Sequence, residues 1–70
     1  MQIRSFSQAK ADGFVGDVGQ VRVFMVRGSG SCHINIYRGD VMFASTSHIP
    51  EGCMQAYLRG ADVLRRYARR

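Results

Sequence analysis

Seventy residues, 46% of them hydrophobic, with a net charge of +5, read as one small folded domain over residues 1–70 and argue against disorder. No run approaches the ~18 apolar residues of a membrane span, and Met1 to Phe6 lacks the apolar centre of a signal peptide, so the cytoplasm is the expected location and no membrane partner is expected. A chain this short leaves little room for a substrate pocket of ~300 Å3 or more, which argues against an enzyme.

The first nineteen residues carry the weakest pattern. Gln2 to Ser7 reads as a short strand. Ser7 is the expected cap of a helical turn through Gln8-Ala9-Lys10-Ala11-Asp12, ended by Gly13. Gly13, Gly16 and Gly19 punctuate the stretch up to residue 19, with Phe14 and Val15 as anchors between them.

Three strands come next. Gln20 to Arg27 is rich in β-branched and aromatic residues, with Val21, Val23 and Met25 on one face and Arg22, Phe24 and Val26 on the other. Apolar groups on both faces suggest a central strand, or one partly covered on its second side. Gly28 to Ser31 has the length of a hairpin connector. Cys32 to Arg38 alternates cleanly: Cys32, Ile34 and Ile36 oppose His33, Asn35 and Tyr37, the period of a half-buried strand. Gly39-Asp40 is a tight turn, and Val41 to Ser47 returns.

Pro50 ends that strand and suits the first turn of a helix, where Glu51 favours the helix dipole. At 100° per residue, Cys53, Met54, Tyr57, Ala61, Leu64 and Ala68 share one face, with Tyr67 at its margin. Gln55, Arg59, Asp62, Arg66 and Arg69 lie opposite, flanked by Arg65 and Arg70. Gly60 costs ~1 kcal/mol relative to alanine in a helix interior, and its small size is expected to let the helix sit close on the sheet. The fold class is therefore α+β: a three- to four-stranded antiparallel sheet with one long C-terminal amphipathic helix packed on one face.

Motif chemistry is sparse. Cys32, His33, His48 and Cys53 are zinc-type residues at the wrong spacing, and adjacent Cys32 and His33 leave opposite faces of a strand. A nucleophile would pair Cys53 or Cys32 with His48, but both thiols fall on apolar faces. Both cysteines are expected to be reduced core thiols, with a disulfide across the sheet–helix interface as the alternative. Gly28-Ser29-Gly30-Ser31 lacks the lysine and the following helix of a phosphate loop. No cofactor and no metal is expected.

Charge is the remaining signal. Gly52 to Arg70 holds five arginines against one aspartate, a local +4 out of +5. Such a patch attracts phosphate, acidic protein or anionic surfaces; the plain alternative is a solvated helix face whose last turn complements the dipole. Arg22, Arg27 and Arg38 extend the basic surface, and Tyr37, with His33 and Asn35, offers stacking and hydrogen bonding. That strand face lacks the paired aromatics of an RNA-recognition sheet.

The order of helical turn, three antiparallel strands and helix resembles that of double-stranded RNA-binding domains, although Ile49-Pro50-Glu51-Gly52 replaces the basic Lys-Lys-x-Ala-Lys start of their last helix. It is also similar to the arm-binding domains of phage integrases. Size and shape resemble phage-encoded inhibitors, including anti-CRISPR proteins. Shape alone does not fix function. The expected function is a small non-enzymatic regulatory or inhibitory protein that occupies an acidic surface of a protein or ribonucleoprotein. Arg59, Arg65, Arg66, Arg69 and Arg70 would carry it, with Arg38 and Tyr37 beside them and a sheet edge able to pair with a partner or a second copy. The alternatives are nucleic-acid binding through the same arginines, and a subunit that self-assembles through its apolar strand face.

Overall fold

A computed structural model describes residues 1–29, 31–46 and 52–69. The described residues form β1 (Gln2–Ile3), α1 (Phe6–Asp12), β2 (Phe14–Val18), β3 (Val21–Gly28), β4 (Ser31–Arg38), β5 (Val41–Ser45) and α2 (Cys53–Ala68). The strands make one antiparallel sheet in chain order, with β3 at its centre. The α+β class holds, with five strands in place of the three to four expected. Pro50, Glu51 and the end of the last predicted strand lie outside the described residues.

The unexpected strand is β2, whose Phe-Val-Gly-Asp-Val sequence contains two residues disfavoured in sheets. Gly16 is there for space. A Cβ on it would collide with the Gln2 carbonyl oxygen of β1 and stand 2.9 Å from Leu64 Cδ1. Bare backbone lets β1 and α2 both close on this point. Gly19, at φ 57°, then opens a two-residue turn that pairs Val18 with Val21.

The cap of helix α1 lies two residues before the expected one. Ser5 Oγ accepts from the Gln8 amide at 3.3 Å, while Gln8 Oε1 accepts from the Ser5 amide at 3.4 Å. Ser5-x-x-Gln8 is thus a capping box, and it supersedes Ser7 as the cap. The earlier start places Phe6 against Tyr57 of α2, edge to face at 5.4 Å. Tyr57 Oη donates to the Arg4 carbonyl at 2.5 Å, tying α2 to the β1–α1 connection.

Both helices pack on the same side of the sheet. Val15, Val21, Val23, Met25, Cys32, Ile34 and Ile36 are buried there beneath Ala9 of α1 and Ala56, Ala61 and Leu64 of α2. The buried stripe of α2 is turned from the predicted one. Ala56 and Gly60 lie at its centre, whereas Met54 and Ala68 are exposed. Small residues set the contact: a Cβ on Gly60 would stand 3.0 Å from Val23 Cγ1 and 3.3 Å from Val15 Cγ1.

We expect Gly60→Ala to destabilise the fold. The gain of ~1 kcal/mol in helix propensity is set against overpacking worth ~1–3 kcal/mol, and the two β-branched valines have few rotamers with which to yield. Thermal melting reads the sign, and a raised Tm would contradict so close a helix–sheet approach.

Cys32 of β4 and Cys53 in the first turn of α2 are joined as a disulfide, with Cα atoms 5.4 Å apart. The expectation of two reduced thiols is thereby corrected. The chain returns through β5 and sets the start of α2 directly over the buried end of β4, so the sulfurs meet.

Candidate functional site

Burial of one stripe of α2 forces its charges outward. Arg59, Arg65, Arg66 and Arg69 are all exposed; Arg70 lies outside the described residues. Asp62 Oδ2 and Arg66 Nη2 pair at 3.1 Å, one helical turn apart, with the acid on the N-terminal side that suits the dipole. Both partners are well exposed, so the pair contributes only ~0.3–0.5 kcal/mol.

These side chains frame a groove. Gln55, Leu58, Arg59, Asp62, Val63, Arg65 and Arg66 line an open depression of about 1020 Å3 beside Thr46, which follows β5. Leu58 is 48% exposed, so apolar surface lies between the guanidinium groups. Next to it, Val63, Arg66 and Tyr67 meet Ile36, Phe43 and Ala44 around a recess of about 240 Å3. Arg38 reaches this recess from the sheet, its guanidinium carbon 5.4 Å from the Phe43 ring centre and 5.9 Å from that of Tyr67. Arg38 therefore does join the basic surface of the helix. Beside it, β5 is an edge strand with Val41, Met42 and Phe43 exposed, interrupted by a bulge opposite Ile36 and Tyr37.

Tyr37 does not belong to that surface. It precedes Arg38 on β4, and successive strand residues leave opposite faces. Its ring lies on the side of the sheet away from both helices, 5.5 Å from the Phe24 ring and at 82° to it. Arg22 lies on that far side too, while Arg27 is exposed at the end of β3.

The far side also carries a feature that sequence reasoning missed. Phe14 pairs directly with Phe24 across β2 and β3, their rings 5.2 Å apart. Phe14, Phe24 and Tyr37 thus form a row across three adjacent strands, which overturns the expectation of a face without paired aromatics. The signal was available in Val18-Gly19-Gln20-Val21, which has the same two-residue form as Arg38-Gly39-Asp40-Val41. Reading it as a hairpin would have set Phe14 opposite Met25; the irregularity between Phe14 and Gly16 shifts it by one place, opposite Phe24.

Of the zinc and nucleophile candidates, Cys32 is buried on the helix side and His33 lies on the far side, His48 is outside the described residues, and both thiols are bonded. Among the described residues no three His, Cys, Asp or Glu side chains converge. No helix among them is long and apolar enough to cross a membrane.

Because Arg66 touches solvent and Asp62 alone among the ion-pair partners described, we expect Arg66→Ala to change stability by less than ~0.5 kcal/mol. A large fall in melting temperature would mean that this face of α2 serves the fold.

No protein-family model, no curated protein and no solved structure matches the chain.

Proposed function

We propose that the protein is a small non-enzymatic regulatory or inhibitory module that occupies an acidic surface of a protein or ribonucleoprotein through the outer face of α2. The observation that carries this reading is the groove that Leu58 and Val63 line together with Arg59, Asp62, Arg65 and Arg66. Protein interfaces combine a desolvated apolar centre with a polar rim, and arginine is enriched in them. Its planar fork grips carboxylates in pairs of parallel hydrogen bonds.

Arg38, held over Phe43 and Tyr67, extends the rim towards the sheet. Arg69 adds charge at the helix end, and Arg70 adds to the formal +4 of the segment. A concentrated charge of one sign speeds encounter with an acidic partner. The β5 edge, which pairs with no further strand among the described residues, offers backbone pairing to that partner or to a second copy. The likeness to phage-encoded inhibitors is one of size and shape alone and does not name the partner.

A gel-shift titration against duplex nucleic acid at low and moderate salt tests the reading. Phosphate neutralisation by several arginines makes log affinity fall steeply with log salt. We expect weak retardation at low salt that vanishes at moderate salt. Tight duplex binding that persists at moderate salt would instead favour nucleic-acid binding by the same arginines.

A further inference from the structure

We propose that the face of the sheet opposite the helices is a stacking platform for single-stranded nucleic acid. The site shares no residue with the α2 groove and goes beyond the function proposed for that groove. It starts from the row of Phe14, Phe24 and Tyr37, each half-buried and turned away from the core. No described helix lies over them. Ring centres 5.2 and 5.5 Å apart set three rings in a row across the strands, inclined at 49° and 82° to one another.

Two arginines are built into that row. The Arg4 guanidinium carbon lies 5.9 Å from the Phe14 ring centre, and that of Arg22 lies 5.9 Å from the Phe24 ring centre. Arg22 Nη2 also donates to the Gly39 carbonyl at 2.6 Å, with Asp40 at 3.7 Å, so its position is fixed from the adjoining turn. Arg4 is likewise fixed by Asp12 at 2.6 Å. The cations are therefore held beside the aromatic rings before any ligand arrives.

Between them is a recess. Arg22, Phe24, Val26, Asn35 and Tyr37 line about 300 Å3 of open space, enough to admit a planar base. Asn35 Oδ1 accepts from Ser45 Oγ at 2.8 Å, which directs the amide and so provides a polar edge beside the rings. Aromatic faces, flanking guanidinium groups and a polar edge suit unpaired bases on a phosphate backbone. A duplex hides its base faces within the stack and offers this surface only phosphate. Arg4 and Arg22 supply the attraction for phosphate at this face. An acidic protein would satisfy the arginines but gives the three rings nothing to stack on.

The test is fluorescence anisotropy with labelled oligo(U), oligo(dT) and a duplex of equal length, each about 12 nucleotides. We expect single strands to bind and the duplex to bind more weakly, and the two oligonucleotides tell RNA from DNA. Phe24→Leu and Tyr37→Leu retain apolar bulk and remove the ring; each should weaken single-strand binding by about 5- to 150-fold, while Arg65→Ala on the helix leaves that preference over the duplex in place. Thermal melting checks that the variants fold. Photo-crosslinking of the unaltered protein to a thiouridine-containing strand gives an answer independent of any variant, with attachment expected in peptides containing Phe14, Phe24 or Tyr37. Absent single-strand binding at low salt, equal affinity for the duplex, unchanged affinity in both leucine variants, crosslinks confined to α2, or displacement of the strand from the sheet by a polyglutamate peptide would each overturn the proposal.

Discussion

Leu64→Ala should lower stability by ~2–5 kcal/mol and leave a large share of the chain unfolded at ordinary temperature. Leu64 has no exposed surface and is among the largest fully buried side chains. It fills the space above Gly16, where α2, β1 and β2 meet. Removing it opens a cavity that the surroundings cannot readily close, because Val15 and Val23 are β-branched and α2 already rests on Gly60. The whole stability of a domain this size is only ~4–10 kcal/mol at ~0.05–0.15 kcal/mol per residue. Urea or thermal unfolding checks the effect. A loss below ~1 kcal/mol would mean that the helix is not clamped to the sheet at this point.

Reduction of the Cys32–Cys53 bond should have an effect of similar size. The two cysteines are 21 residues apart. Closing a loop of about that length restricts the unfolded chain by ~3 kcal/mol on the chain-entropy estimate. For a small domain this corresponds to more than ~10 °C in Tm. Melts with and without reductant, beside a Cys32→Ser/Cys53→Ser variant, measure it. Identical melts under both conditions, together with two titratable thiols in the unreduced protein, would mean that the sulfurs pack without bonding. The bond also bears on the expected cytoplasmic location, since disulfides persist mainly in oxidising compartments.

The parts of the fold that follow strict alternation were legible in the sequence. Cys32, Ile34 and Ile36 face the core as expected, and Gly39-Asp40 is the turn between Arg38 and Val41. The amphipathic helix was legible too, but its buried stripe was placed too near Met54. Periodicity weighs residues by hydrophobicity, whereas here close approach favours the small Ala56 and Gly60. Strand β2 was hidden because Gly16 and Asp17 lower its strand propensity, while the reason for Gly16 lies in contacts with Gln2 and Leu64, which are remote in sequence.

The candidate surface was half legible. The arginine stripe of α2 could be read from spacing alone, and Arg38 joins it through Phe43 and Tyr67. Grouping Tyr37 with Arg38 ignored the parity of neighbouring strand residues. The aromatic row required the register of β2 against β3, which is a long-range fact once β2 itself is missed.

The proposed division of labour within α2 gives folding to its inner stripe and partner binding to its outer one. The protein and its Arg59→Glu/Arg65→Glu/Arg66→Glu variant are used side by side to capture partners from nuclease-treated lysate of the producing cell, after melting has established that both are folded. The expected result is a protein partner held by the unaltered chain and released by the charge-reversed one. Equal retention of that partner by both chains would contradict the assignment of the groove.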